Sequence, residues 1–166
     1  MARGGRTPRR PLYDAQQRAR RDATVWTLVQ GILAPLQFLV FLVSLALVLR
    51  TLATGEGAWA ANASIVAKTG LLYAIMVTGS IWEKVVFGRY LFAPAFYWED
   101  MVSMLVLTLH SAYLLALVTG GLDTGGLMLL ALAAYASYAV NAAQFLLKLR
   151  AARLDVAPSF EAEGAR

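Results

Sequence analysis

The chain has 166 residues, of which 59% are hydrophobic and 15% charged, with a mean hydropathy of +0.59 and a net charge of +5. That is more apolar surface than one soluble domain of this size can bury, so a bilayer is the expected solvent. The absence of cysteine excludes disulfide frameworks, thiolate metal sites, iron–sulfur clusters and c-type haem attachment, and a single histidine excludes multi-histidine zinc or di-iron sites.

Residues 1–24 form a basic segment in which Arg3, Arg6, Arg9, Arg10, Arg18, Arg20 and Arg21 precede the first apolar run. Arginines crowded against a hydrophobic segment fit anionic lipid better than nucleic acid, which is not an expected partner. The run from Val25 to Leu49 is too long for a signal core and lacks a small-residue cleavage site, so it reads as a retained anchor. With Met101 to Leu122 and Thr124 to Leu147 it makes three uncharged runs longer than the ~20 residues a spanning helix needs. Asn62 to Trp82 is interrupted only by Lys68, whose amine is expected to extend to the interface, and counts as the remaining span.

Lys84 and Arg89 lie between the second and third spans, and Lys148, Arg150, Arg153 and Arg166 follow the fourth. Basic residues therefore collect on one side, predicting cytoplasmic termini, a cytoplasmic segment at 83–100, and short outer loops at 50–61 and 119–126. The expected organisation is an all-α four-helix transmembrane bundle over 25–153, preceded by the basic segment 1–24 and followed by a flexible tail at 154–166. Residues 1–12 and 155–166 read as solvated and poorly ordered.

At ~100° per residue, Trp26, Gln30 and Gln37 share one side of the first span, where Pro35 favours a kink. Glu99, Ser103, His110 and Tyr113 fall within a narrow arc of the third, and Tyr138, Asn141, Gln144 and Lys148 share a face of the fourth. The simplest packing turns these faces toward a common interior. Cross-links between helices are the commoner use of Gln30, Gln37, Asn141 and Gln144, with ligand contact the alternative. His110 lies roughly 16 Å of helix rise beyond Glu99 and can serve as base, acid or ligand to a pigment metal.

Between Trp82 and Asp100 the chain is dense in aromatics, including Phe87, Tyr90, Phe92, Phe96, Tyr97 and Trp98. Such a stretch reads either as an interfacial belt or as a re-entrant flap whose flat side chains stack on a large planar ligand. Glu83, Glu99 and Asp100 flank it, and carboxyl groups set among tryptophans are natural proton donors. The plainer alternatives pair Glu83 with Lys84 or Arg89 and assign Asp100 to capping the third span, the favoured reading for Asp100.

The stretches Arg20–Phe38, Gly79–Gly88, Tyr90–Phe96 and Ala142–Lys148 resemble the vinyl hydratases of bacteriochlorophyll synthesis, and the likeness extends over residues 12–153. Landmarks such as Trp26, Gln30, Pro35, Gln37, Ile81-Trp82-Glu83-Lys84 and Gln144 carry it along with the apolar filler. The resemblance implies hydration of the 3-vinyl group of a chlorophyllide or bacteriochlorophyllide to a 1-hydroxyethyl group, in a bacterial inner or intracytoplasmic membrane. It implies a magnesium chlorin substrate and lipid as partners, leaves room for a homo-oligomer and other pigment-biosynthesis enzymes, and calls for no cofactor. Any metal arrives inside the substrate. Adding water to a conjugated vinyl group needs an acid and a water-activating base. Glu83 or Glu99 is the expected donor, with the other carboxylate or His110 as base.

Alternatively, His110 ligates the substrate magnesium axially. Lys84 and Arg89 suit the substrate propionate. Trp26, Gln30, Gln37, Trp82, Phe96, Trp98, Tyr113, Tyr138, Asn141 and Gln144 complete the expected pocket. A non-catalytic pigment-binding or assembly protein would use the same aromatics and histidine without paired carboxylates. A transporter would carry polar groups through the whole membrane depth and usually repeated halves, whereas the outer half here is apolar apart from Lys68.

Overall fold

The computed structural model describes residues 11–163, with side chains as far as 153. Arg3, Arg6, Arg9, Arg10, Arg166 and nearly all of the expected tail at 1–12 lie outside the described residues, whereas the expected flexible tail at 154–166 is instead a continuation of the last helix as far as Glu163. A short α1 (Ala15–Ala23) leads into four long helices, α2 (Val25–Thr54), α3 (Ala58–Phe87), α4 (Tyr97–Thr119) and α5 (Thr124–Glu163). The four are long and apolar enough to cross a bilayer, α5 over Thr124–Arg153, so the chain is a multi-pass membrane protein. Leu28, Ile32, Leu39, Leu105, Leu115 and Leu146 lie among the many large apolar side chains that face outward, as lipid contact requires.

Helix formation outruns the uncharged cores because nothing at the headgroup level stops the backbone ladder until a residue with suitable geometry appears. α2 ends at left-handed Gly55 and α4 at left-handed Gly120, which shrinks the outer connections to 55–57 and 120–123. The aromatic stretch is likewise mostly helical. α3 continues to Phe87, α4 starts at Tyr97, and only 88–96 connects them. Pro35 sits inside a helix that runs on past it.

α2 packs closely on α3 and α4 on α5, giving two antiparallel hairpins. Core residues such as Phe41, Val48, Ile65, Leu72, Val106 and Tyr135 fill the space between them. Polar pairs lock the helices together: Gln30 Nε2 donates to Thr78 Oγ1 at 2.7 Å, and Trp82 Nε1 donates to Thr27 Oγ1 at 2.9 Å. Ser44 meets both Ser64 (2.6 Å) and Tyr135 (2.5 Å), and the Tyr113 hydroxyl donates to Asn62 Oδ1 at 2.7 Å. The α3–α4 seam is sparsely packed, with Tyr73 and Ser111 bridging it at 2.8 Å.

Lys68 corrects one expectation. Its amine does not reach the interface but is fully buried, 3.7 Å from the centre of the Tyr138 ring. Lys68 lies ten residues into α3, about 15 Å of rise from its start, so the side chain cannot snorkel outward and turns into the bundle.

Gly88 ends α3 with φ +82°, and a Cβ there would meet nothing within 4 Å. Gly88→Ala should therefore cost about 1 kcal/mol through the backbone alone. Thermal unfolding in detergent should show a Tm lowered by a few degrees, whereas Gly70→Ala, equally open but inside a helix, should lower nothing.

Candidate functional site

Three carboxyl groups converge where α3 ends and α4 begins. Glu83, Glu99 and Asp100 are all buried, at 5%, 7% and 3% exposure, a costly choice for acidic residues unless each finds partners. Ala93 N–H donates to Glu83 Oε2 at 3.2 Å, and Phe92 N–H donates to Asp100 Oδ2 at 2.7 Å. Because Phe92 and Ala93 are neighbours in the chain, the Glu83 and Asp100 carboxyls are brought side by side beneath the loop. Glu99 is held instead by Lys148, whose ammonium sits 2.5 Å from Glu99 Oε2 and also donates to the Ala95 carbonyl.

Glu83, Asp100 and Lys148 each hold the connection 88–96 by its backbone. Phe92 has φ +59°, a conformation costing about 1–2 kcal/mol for a side chain of its size, and its amide is the one Asp100 accepts. The loop is thus clamped over the carboxyls by side chains reaching from α3, α4 and α5. Beneath it, Asn141 Nδ2 donates to the Glu99 carbonyl at 2.8 Å, and Ser103 Oγ donates to Asn141 Oδ1 at 3.2 Å.

Aromatic rings form the other wall. Phe96 is buried, stacks on Phe145 at 5.9 Å between ring centres, and meets Trp82 and Phe87 edge-on at 5.7 Å each. Tyr13, just before α1, is buried in the same cluster and stacks on Phe87 at 5.8 Å. Tyr90, Tyr97 and Trp98 remain exposed beside the loop. Lys84 and Arg89 are also exposed, Lys84 donating to the Gly88 carbonyl at 3.0 Å and lying over the Tyr90 ring.

The expected site residues therefore divide into groups. Glu83, Glu99, Trp82, Phe96, Asn141, Gln144 and the more exposed Lys84, Arg89 and Trp98 lie at the end of the bundle carrying the basic residues Arg18, Arg20, Arg21, Arg150 and Arg153. Trp26, half-buried near the start of α2, and Gln30, bonded to Thr78, stand on the α2–α3 side of that end. His110, Gln37 and Tyr138 lie deeper, and Tyr113 is engaged with Asn62 near the far end. His110 and Glu99 share a face of α4 but stay about 16 Å apart along it.

Asp100 differs from expectation: Phe96 is the helix N-cap, and Asp100 lies inside α4 facing Glu83. Glu83 pairs with neither Lys84 nor Arg89. Lys148 as the partner of Glu99 and Tyr13 as part of the aromatic wall were missed. The i, i+4 and i, i+7 spacing of Lys148 to Gln144 and Asn141 was the available signal for the first. For Tyr13, the signal was an aromatic residue in an otherwise polar leader.

Comparison with known proteins adds an independent line. A family model described as 2-vinyl bacteriochlorophyllide hydratase matches residues 13–151. A protein of that name from Cereibacter sphaeroides is 69% identical over 152 residues, covering 90% of this chain and 92% of its own. Another from Rhodobacter capsulatus is 66% identical over 149 residues, covering 90% of this chain and 86% of its own. No solved structure matches.

Removing Lys148 would leave the Glu99 carboxylate buried with no cation beside it. Lys148→Met should destabilise the protein by about 3 kcal/mol, and Glu99→Gln in the same background should recover much of that loss. A chemical or thermal unfolding series of the two single variants and the double variant in detergent measures the coupling.

Proposed function

The chain belongs to the 2-vinyl bacteriochlorophyllide hydratase family, and from that premise we propose how the site at the α3–α4 end performs the hydration. The protein is a hydratase of bacteriochlorophyll biosynthesis, a hydro-lyase working within a membrane. Its substrate is a magnesium chlorin, chlorophyllide or bacteriochlorophyllide, whose vinyl group gains the elements of water to become 1-hydroxyethyl. The position called 2 in the family description is 3 in current macrocycle numbering. One C–H and one C–O bond form, the vinyl double bond is spent, and no electrons are exchanged with a cofactor.

The observation that carries this reading is the carboxyl pair roofed by an aromatic connection, on a chain matched by the family over 13–151. Two carboxyls side by side hold one proton between them more readily than two charges. Glu83 and Asp100 thus form the acid, which protonates the terminal vinyl carbon. The cation formed at the adjacent carbon is spread over the macrocycle, and water attacks it. Glu99, paired with Lys148, takes the proton from that water. Lys148, Asn141 and Ser103 position Glu99 and do not themselves react.

Tyr90, Tyr97 and Trp98 supply exposed flat surfaces for the macrocycle, with Trp82 and Phe96 beneath. Lys84 and Arg89 receive the propionate, which a chlorophyllide carries free at the interface. The sparse α3–α4 seam is where the ring edge enters from the lipid toward Glu83 and Asp100. Domain limits follow: a basic segment at 1–24, the four-span unit at 25–153, and a tail at 154–166. By the positive-inside rule the basic end and both termini face the cytoplasm, in an inner or intracytoplasmic membrane.

Purified protein in detergent, given a 3-vinyl chlorophyllide in oxygen-18 water, should yield a blue-shifted product heavier by one labelled water. Glu83→Gln and Asp100→Asn should each lower kcat by about 10²–10⁴ while leaving pigment binding intact. Full turnover in both variants would end the assignment of the acid. Lys84→Met combined with Arg89→Met should raise KM and leave kcat nearly unchanged, and normal affinity would remove the propionate contact.

A further inference from the structure

Above the carboxyl cluster, the middle of the bundle holds polar atoms that the carboxyl chemistry does not use. Lys68 is fully buried and its Nζ has no hydrogen-bonding partner among the described residues. Phe41, Tyr135 and Tyr138 surround it, with ring centres 5.8, 5.5 and 3.7 Å from the nitrogen. His110 is fully buried too. Its Nδ1 lies 2.8 Å from the Val106 carbonyl, and a carbonyl only accepts, so Nδ1 carries a hydrogen and donates. Its Nε2 is left without a partner, and its ring lies 5.9 Å from that of Tyr135. Gln37, one helical turn from Phe41 on α2, has neither amide atom satisfied.

Lys68 of α3 and His110 of α4 thus meet beside the Tyr135 ring, and Gln37 of α2 lies one helical turn from Phe41, a ring that also faces Lys68. An unmade hydrogen bond at such depth costs about 1–3 kcal/mol per group, and more for an ammonium. Apolar substitutes of the same size would remove that cost, so the polar set is consistent with a bound polar guest. Gln37, Lys68, His110 and the rings of Phe41, Tyr135 and Tyr138 are each 0–8% exposed, so a guest among them is small. A water molecule needs two to four polar partners and little room, and Lys68 Nζ, His110 Nε2 and the Gln37 amide offer them.

We propose that Gln37, Lys68 and His110 form an internal water site at mid-depth, the store from which the hydration draws its second substrate. The role as a store rests on the hydratase reading above; the water site itself does not. A macrocycle seated on Tyr90, Tyr97 and Trp98 covers the mouth against bulk water. Water held inside the bundle is then the supply that remains. Tyr138, Asn141 and Gln144 descend one face of α5 from this site to Glu99 over about 9 Å of rise, and Gln144 Oε1 is another buried atom with no partner among the described residues.

Synchrotron radiolysis of the protein in detergent forms hydroxyl radicals from bound water in place, so a buried tyrosine is modified only where water touches it. Tyr135, 2% exposed and bonded to Ser44, should be modified several-fold faster than its match Tyr113, 0% exposed and bonded to Asn62, and Tyr138, 8% exposed beside Lys68, should follow Tyr135. Lys68→Met and Gln37→Leu, which place apolar groups in the same volume, should bring both rates down to that of Tyr113. Equal rates for all three tyrosines in the unaltered protein would overturn the site without any variant. Lys68→Met should also lower kcat several-fold with pigment affinity unchanged; unaltered turnover would overturn the role as a store. Labelling in Glu83→Gln should match the unaltered protein, so failure of the acid assignment and failure of the water site read out separately.

Discussion

Hydrocarbon offers no hydrogen-bonding partner, and this constraint orders the molecule. Each backbone group is met inside a helix, and side-chain hydroxyls bond back to their own helix. Thr51, Thr69, Thr78, Thr108 and Thr119 all donate to the carbonyl four residues earlier. Remaining polar groups are spent on joining helices, as Gln30 does with Thr78 and Ser44 with Ser64 and Tyr135. Against that background of satisfied groups, two places stand apart. One is the carboxyl cluster at the inner mouth, and the other is the level of Lys68 and His110.

At the mouth, three acidic side chains face a single cation within salt-bridge distance among the described residues, Lys148. Backbone amides of Phe92 and Ala93 supply the rest of the stabilisation, so loop geometry and carboxyl charge depend on each other. The left-handed backbone at Phe92 is tolerated because Asp100 fixes its amide, and Asp100 is accommodated because the loop presents that amide. In the proposed mechanism, a pigment that shifts the loop changes the hydrogen bonding of the acid pair at the same moment, which couples binding to proton delivery through two hydrogen bonds.

The spans, the gathering of basic residues at one end of the bundle and the inward polar faces were legible in the sequence because each depends on composition over a whole helix. Glu99, Ser103, His110 and Tyr113 were read as one arc of α4, and all four are buried. What could not be read is depth-resolved pairing. Asp100 was taken for a helix cap because a carboxylate near a helix start has a ready local use, while its actual partners, Phe92 and Glu83, depend on how 88–96 folds back. Lys68 was expected to stretch outward because a lone cation in a span usually does; the rings of Phe41, Tyr135 and Tyr138 that receive it come from two other helices. Helix ends also departed from the uncharged cores, since Gly55 lets α2 run past Leu49 and Gly120 stops α4 short of Leu122.

In the proposed reaction the acid pair also stabilises the intermediate. Proton transfer from Glu83 and Asp100 to the vinyl carbon leaves a second negative charge on the pair just as a positive charge appears on the macrocycle. In a site walled by Trp82, Phe87 and Phe96, that attraction is screened far less than in water. Lys148 is tied to Glu99 and the Ala95 carbonyl. The same arrangement disfavours a lysine or imidazolium as the acid: a cationic donor would become neutral on giving up its proton and leave the pigment cation without a counter-charge. A carboxyl pair does the opposite, which is a physical reason for acids at the mouth and for the lone histidine and buried lysine to lie elsewhere.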